Sequence, residues 1–336
     1  MRRIVYFLYY LKKLNKPLFK KFFKHVKQET NHSNLFLYFD IIKNSLKYNI
    51  SILEYFQFHF YEISEEEKKE WAGTGYMYEF QKYMNPPKYR YLLEDKTIFD
   101  KTYEKYIHHS VVSLNDLKEK KNLANKILSN PSGKIVFKIK DGGCGRGIIV
   151  ESASSYKNAD EIIEFMETNK FDLVEEFVQQ HEIINKISSS ALNTVRIITQ
   201  LRSDGNVDIV GCRLRISVNG VTDNLAAGNI AAYIDSETGI ITGKGVYSDI
   251  TKNDCEIHPI SGENIIGIKI PFWEETIKLI KEIAIIDKRN RSIGWDLAIT
   301  SYGPDLIEGN REWCKLLYQL PAKKGLKSTL EKYIKE

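Results

Sequence analysis

The sequence predicts an α+β fold, helical at its N-terminal end and rich in strands further on. Three features carry that expectation. Residues 1–92 set apolar and aromatic side chains at helical spacing and show no β-α-β alternation. A glycine-rich loop, Asp141-Gly-Gly-Cys-Gly-Arg-Gly147, joins one strand to another instead of opening a helix. Residues 193–247 read as a strand meander and 293–310 as a hairpin, both with the period of two that a pleated strand imposes.

The first helical stretch carries Ile4, Phe7, Leu8, Leu11, Leu14, Leu18, Phe22 and Val26, with lysines between them. Residues 1–30 hold nine Lys/Arg and one Glu, so the net charge of +5 is concentrated here and the remainder is slightly acidic. A body of that sign is not expected to bind nucleic acid. Two readings of residues 1–27 stay open. One is a peripheral contact with an anionic membrane surface; the other is a helix packed on the body with its lysines in water. Further helices are expected near 35–48 and 51–60, and Glu65-Glu66-Glu67-Lys68-Lys69-Glu70 reads as a solvated helix face.

From Asp95 the character changes. A helix near 96–106 precedes a short strand at Val111-Val112 and a helix near 114–129. Asn130-Pro131-Ser132-Gly133 turns into a strand over 134–140, and a second strand follows the glycine loop at 148–151. A helix near 159–169 leads to a strand over 171–174. The meander places strands near 194–202, 207–217, 229–234 and 240–246, divided by turns at Asp204-Gly205, Asn219-Gly220 and Glu237-Thr238-Gly239. Pro271 opens a helix to about 286, and a last helix is expected near 323–334.

In the closing hairpin, Ile293, Trp295, Leu297 and Ile299 alternate with Gly294, Asp296, Ala298 and Thr300, and Gly303-Pro304-Asp305 supplies the turn. Asp296 then lies on the face away from the apolar stripe, Glu308 and Asn310 share one face, and Asp296 falls roughly opposite Asn310. Two carboxylates and an amide oxygen about one point suit Mg²⁺, which takes one or two carboxylates, water and substrate phosphates. An ordinary wet hairpin face would show the same residues, so a phosphate site elsewhere has to decide.

The glycine loop supplies a candidate. A dinucleotide or P-loop fingerprint must open a helix whose N-terminus holds the phosphate. Ile148-Ile149-Val150 is a strand, so the loop is a flap between antiparallel strands, or else an ordinary flexible hairpin. Glycines at 142, 143, 145 and 147 let backbone N–H groups approach phosphates, and Arg146 adds charge. Lys138 lies just before the flap; Lys134 and Lys140 share its parity and compete for its role.

Cys144, Cys212, Cys255 and Cys314 form no C-x-x-C pair, which argues against a zinc site or disulfide framework and suits a reducing cytoplasm. The histidines show no metal-ligand spacing, and His108-His109 is read as surface or core. No apolar run approaches 18 residues and no signal-peptide cleavage site is visible, so the expected location is cytoplasmic, with the inner membrane face as the alternative.

Several segments together resemble, in order and spacing, the ATP-grasp superfamily of carboxylate–amine ligases. They are Asp95-Lys96, Val136-Phe-Lys138, the 141–147 flap, Val174-Glu-Glu-Phe-Val-Gln-Gln-His-Glu182, Asn193-Thr-Val-Arg196, Asp223-Asn-Leu-Ala-Ala-Gly228, Gly294-Trp-Asp296 and Ile307-Glu-Gly-Asn310. Within the superfamily the chain resembles the sugar-transfer-associated proteins of bacterial surface-polysaccharide loci. The resemblance implies an ATP-grasp fold over 93–336, in which two α+β subdomains, 93–177 with the flap and 178–336 with the metal and substrate sites, clamp ATP. Residues 1–92 form the helical N-terminal region.

By position, Lys96 and Lys138 match the lysines that hold the α- and β-phosphates, beside Gly143, Gly145, Arg146 and Gly147 of the flap. Glu175, Glu176, Phe177 and Val178 match the adenine hinge, Glu182 the ribose-binding acid, and Asp296, Glu308 and Asn310 the Mg²⁺ ligands. Two departures stand out. Gly294 occupies a position where many relatives carry an arginine, so Arg196 and Arg215 are the expected γ-phosphate or oxyanion partners beside Lys138; a solvent-facing arginine ladder is the alternative. The Rossmann-like domain usual on the N-terminal side is not visible in the sequence, and the helical residues 1–92 are expected in its place. Asn193, Asp223 and Asn224 are candidates for the acceptor pocket, although Asp223-Asn224 also fits a plain turn.

The implied reaction is transfer of the ATP γ-phosphoryl group to a carboxylate, followed by attack of an amine on the acyl phosphate. The expected partners are a small-molecule or glycan-precursor carboxylate and an amine. Two other functions stay open: a kinase using the same site, and a non-catalytic nucleotide-binding partner of a glycosyltransferase complex. The retained metal-ligand set argues against the second.

Overall fold

The protein is described here from a computed structural model covering residues 2–140, 142 and 147–335. The predicted flap residues Gly143, Gly145 and Arg146 lie outside the described residues.

The chain is α+β, with a helical N-terminal region and two antiparallel sheets. The first sheet has the order β1-β4-β2-β3, from β1 (Val111–Ser113), β2 (Lys134–Lys138), β3 (Ile148–Ser152) and β4 (Leu173–Glu176). The second is β7-β6-β5-β8-β9, from β5 (Val195–Leu201), β6 (Val207–Ile216), β7 (Ile230–Ile234), β8 (Ser292–Thr300) and β9 (Gly303–Asn310).

The single N-terminal helix expected from the apolar spacing is two helices, Arg2–Lys12 and Lys16–Thr30. Asn15 separates them by accepting the Leu18 N–H at 3.1 Å, and Pro17 sits in the first turn, where its missing N–H costs nothing. The second helix buries Phe22 and Val26 in a core with Leu37, Ile41, Tyr55 and Phe56. That core also takes in Val246 and Leu320, so the helical region is packed onto the five-stranded half. The first helix buries Tyr10 and leaves Ile4, Val5, Leu8 and Leu11 exposed. No described helix is long and apolar enough to cross a membrane.

The helix expected over 114–129 is broken into Leu114–Glu119 and Ala124–Leu128 by a 3-10 turn, and residues 240–246 make isolated bridges instead of a strand. The helices Thr74–Met84, Glu182–Ile187 and Lys315–Gln319 were not foreseen.

The four-stranded sheet packs Ile135, Phe137 and Val174 against Ile162 and Met166 of the helix Ala159–Asn169. The five-stranded sheet packs Val195, Leu214, Trp295, Leu297 and Leu306 against the helix Trp273–Ile283. Both helices bury a single apolar face, which leaves the opposite sheet faces free to carry polar groups.

The hairpin differs from its expected register in an informative way. Its turn is Ser301-Tyr302, with Thr300 paired to Gly303, so Pro304 and Asp305 already belong to β9. A bulge between Asp296 and Leu297 then shifts the ladder by one residue. Leu297 faces Leu306, but Asp296 faces Glu308 and Gly294 faces Asn310. Unbulged, the same turn would set Asp296 against Ile307 and send Glu308 to the core side, because side chains alternate along a strand. The extra residue is what lets one strand supply Leu306 to the core and Glu308 to the opposite face.

Candidate active site

A cleft of about 530 Å³ lies between the two sheets. β2 contributes Lys138, the end of β4 contributes Glu175 and Glu176, and the run after it contributes Phe177 and Val178. Facing them are Arg196 from β5, Arg215 from β6, Asp296 from β8, and Glu308 and Asn310 from β9. Lys96, at the start of the helix Lys96–Tyr103, and Gly142 close one side. Lys96 Nζ donates to the Gly142 carbonyl at 2.6 Å.

β5 and β8 set Arg196 and Asp296 directly across from each other. The guanidinium grips the carboxylate with two bonds, from Nε at 2.5 Å and Nη2 at 2.7 Å. Arg215 bridges two acids, donating to Asp296 at 2.7 Å and to Asp223 at 2.6 Å. Burial opposes ionisation of Asp296, but the two arginines outweigh it and hold the carboxyl well below the usual range. For Glu308 the balance runs the other way: burial, and then neighbouring Asp296, push its pKa up. Arg196 and Arg213 are buried, so the arginines do not form a solvent-facing ladder. Arg213 lies outside the cleft, stacked on Tyr233 at 4.4 Å.

Gly294 has no room for a side chain. A Cβ there would lie 2.7 Å from Trp313 and 3.2 Å from Arg196 Cδ. Arg196, reaching across from the neighbouring strand, fills the space that a residue at 294 would use.

Lys138 is ion-paired with Glu175, and Glu175 is one member of a buried chain of charges. Its Oε2 lies 3.7 Å from His109 Nε2, while His109 Nδ1 is 2.8 Å from Asp305 Oδ2 on β9. Asp305 also accepts the backbone N–H of His108 at 2.7 Å. The lysine of one sheet is thus tied through His109 to the other sheet. Asp100 sits beside this network. Burial and Glu175 push its pKa up to about 7, and its Oδ2 has no hydrogen-bond partner.

Sequence reasoning missed His109, because nothing in the His-His pair shows that β9 will present a carboxylate to it. Burial opposes charge on His109, but Asp305 and Glu175 outweigh it and push the pKa from 6.5 up to about 9. Burial likewise opposes ionisation of Glu175, and Lys138 and His109 hold it down at about 2. The folded state binds the His109 proton more tightly than the unfolded chain does. Its stabilisation is therefore full below pH 6.5, falls as the pH rises, and is gone above about 9. His109→Gln is expected to flatten this alkaline limb, read from urea unfolding between those two pH values.

The remaining sequence candidates divide. Lys134 lines the outer end of the cleft with its Nζ 5.4 Å from the Phe177 ring, whereas Lys140 does not line it. Glu175 faces Lys138 and His109 within the cleft wall. Glu176 exchanges bonds with the Ser110 backbone, and the Phe177 N–H is bonded to the Lys134 carbonyl at 3.2 Å. Glu182 is outside the main cleft, in an adjoining hollow of about 440 Å³ that shares Phe177, Val178 and Leu192 with it. Gly147 immediately precedes β3 and does not line the cleft. Asp223 lines the cleft, held by Arg215 and by the Thr194 N–H at 2.8 Å. Asn224 also lines it, and its side chain caps the next turn by accepting the Ala226 N–H at 3.0 Å.

Asn193 requires correction as an acceptor-site residue. Its amide is buried and spent internally, donating to Gln180 Oε1 at 2.9 Å and Ser188 O at 2.7 Å and accepting from Ser217 N at 2.7 Å. It fastens the loop before β5 and does not face the cleft.

Among the described residues no cluster of three or more His, Cys, Asp or Glu side chains could hold a metal. The hairpin offers two carboxylates and an amide. Asn310 Nδ2 lies 3.2 Å from Glu308 and 3.4 Å from Asp296. Buried Asp296 and half-buried Glu308 adjoin, and with the Asn310 amide oxygen their carboxylates make a hard-oxygen donor set that fits a Mg²⁺ ion completed by water and phosphate oxygens.

No protein of curated function matches the chain. Among solved structures, it is similar to the ATP-grasp ligase PsnB complexed with precursor peptide and AMPPNP, at 12% identity and TM-score 0.43, over 75% of this chain and 63% of that one. It is similar to N5-carboxyaminoimidazole synthetase from Staphylococcus aureus complexed with ADP, at 11% identity and TM-score 0.40, over 70% and 52%. It is also similar to L-amino acid ligase from Bacillus licheniformis, at 13% identity and TM-score 0.35, over 66% and 40%. The chain spans less than two thirds of each, and none of these likenesses assigns a substrate. The family described as sugar-transfer associated ATP-grasp matches residues 76–335, beginning inside the helix Thr74–Met84. With a match over most of its length, the chain belongs to the sugar-transfer associated ATP-grasp family.

Proposed function

We propose that the protein is an ATP-dependent, ADP-forming ligase that joins an amine or amino acid to a carboxylate of a cell-surface polysaccharide precursor. The observation that carries this reading is one cleft in which Lys96 and Lys138 face a pair of adjoining acids, Asp296 and Glu308, across the space between two sheets. Such a cleft separates a phosphate-neutralising wall from a metal-binding wall. We further propose 93–177 and 178–336 as the two halves of the clamp, with 1–92 as a separate helical region, and the cytoplasm, where ATP is available, as the place of reaction.

In the reaction, a carboxylate oxygen of the acceptor attacks the γ-phosphorus of ATP, ADP leaves, and an acyl phosphate forms. The amine then attacks the acyl carbon, phosphate departs with the C–O bond electrons, and the proton lost by the amine nitrogen leaves with the phosphate as hydrogen phosphate. Lys96 and Lys138 pair with the α- and β-phosphates, where negative charge builds as ADP leaves. Phe177 and Val178 form the adenine side, with Glu176 beside them and Glu182 reaching the ribose from the adjoining hollow. Asp296, Glu308 and Asn310 would hold Mg²⁺, which when bound neutralises phosphate oxygens. Arg196 keeps Asp296 in place, and Arg215, shared between Asp296 and Asp223, offers the cation nearest the acceptor end. Asp223 and Asn224 line that end.

The test is product analysis. Protein incubated with Mg·ATP, uronic-acid nucleotide sugars and mixed amino acids is expected to yield ADP and a new amide-sized mass. ADP with only a phosphate-sized mass gain would replace the ligase reading with a kinase, and nucleotide binding without turnover would favour a non-catalytic partner.

A further inference from the structure

We infer that the helices Arg2–Lys12 and Asn34–Tyr48 together form a docking face for an anionic lipid bilayer. The sequence pointed only to residues 1–27. The structure shifts the surface: the helix Lys16–Thr30 packs inward through Phe22 and Val26, while Asn34–Tyr48 turns a larger apolar face outward.

The two helices are fastened to one another and to one core. Arg3 Nη1 donates to the Lys47 carbonyl at 2.6 Å, and Tyr10 OH donates to Asn49 Oδ1 at 3.0 Å. Tyr10, Leu37 and Ile41 enter the same cluster. With those side chains committed inward, the outward sides carry large apolar groups with no cover. Val5 is 64% exposed, Leu8 59%, Leu35 81% and Phe39 67%, with Phe36 and Ile42 beside them. Four such side chains at this exposure, on adjoining helices, exceed the scattered apolar residues of an ordinary surface.

Charge selects the occupant. The helix Arg2–Lys12 contains no acid. The helix Asn34–Tyr48 contains one, Asp40, which is half-buried and spent on Tyr55 OH at 2.7 Å and Asn44 Nδ2 at 2.9 Å. Exposed Lys12 ends the first helix with exposed Lys13 just beyond it, and exposed Lys43 lies one turn from Phe39 and beside Ile42. The acids that reach these helices from elsewhere are already engaged, Glu79 by Tyr6 OH at 2.5 Å and Arg2 at 3.8 Å, and Glu65 by Lys47 and Tyr48 OH. Apolar tips interleaved with the remaining cations match an interface where acyl chains lie under anionic headgroups. Neither helix is long enough to span, so both would lie in the plane of the surface.

The test uses the full chain and vesicles of equal parts phosphatidylglycerol and phosphatidylcholine, read by co-sedimentation. The chain is expected to pellet with these vesicles, to be released by salt, and to bind phosphatidylcholine alone at least about tenfold more weakly. Leu8→Asp and Phe39→Asp are each expected to weaken binding roughly tenfold or more, with unchanged melting because both side chains are exposed. Retention in the supernatant, or equal binding to neutral vesicles, would overturn the inference. So would a concentration-dependent dimer that ignores vesicles and is dissolved by Phe39→Asp. The result is independent of the ligase reading, since vesicle binding needs neither nucleotide nor turnover.

Discussion

Lys138→Ala is expected to lower ADP formation by roughly 10²–10³, the usual cost of removing one preorganised electrostatic donor. The side chain is poorly replaceable. It is ion-paired with Glu175, and the His109–Asp305 pair fixes Glu175 from behind. That arrangement aims a cation into the cleft before any ligand arrives, so no reorganisation is required when charge develops on the leaving phosphate. Removing one partner of a buried ion pair also destabilises, by about 3–5 kcal/mol where the other charge is left alone and by less here, because His109 still faces Glu175 at 3.7 Å. Lost activity alone could therefore reflect lost folding. The double variant Lys138→Met with Glu175→Gln separates the two, since it removes both charges. It is expected to melt above Lys138→Ala while remaining inactive. Near-wild-type ADP formation by a folded Lys138 variant would remove the residue from the mechanism.

Glu308→Gln is expected to cause a comparable loss with the opposite effect on stability. Glu308 is half-buried beside Asp296, and partial desolvation together with that neighbour raises its pKa. A neutral amide of the same size relieves both costs, so the folded protein without ligands should melt at the same temperature or higher. Turnover should fall by roughly 10²–10³, because a donor oxygen has lost its charge where the proposed Mg²⁺ would sit. A site that is costly to the fold and needed for the chemistry has this signature. A variant that loses stability and keeps its ADP-forming activity would mark Glu308 as structural.

The sequence was most legible where a local pattern and the global fold demand the same residue. Strand alternation around Asp296 and the pair Glu308/Asn310 placed the acids on polar faces, and the strand-to-strand setting of the glycine loop excluded a helix-capped phosphate site. The register was less legible. The bulge at Asp296/Leu297 has no glycine or proline to announce it, and it alone decides that Asp296 meets Glu308. Long-range partners were not legible. His109 became part of the site because Asp305, far along the chain, arrives on β9 with a carboxylate aimed at it. Asn193 looked available because a polar residue at a strand end often is. Its bonds to Gln180, Ser188 and Ser217 depend on a loop path that no spacing rule describes. The N-terminal helices show the same limit: helical periodicity identified an apolar face but not whether that face meets the core or the solvent.

The most direct test of the nucleotide site is a calorimetric titration of the full chain with ATP, with and without Mg²⁺. Saturable binding that strengthens with Mg²⁺, weakens in Lys138→Ala and loses its Mg²⁺ dependence in Glu308→Gln is the predicted result. No saturable binding, or binding indifferent to Mg²⁺ and to both substitutions, would contradict the assignment of this cleft to ATP.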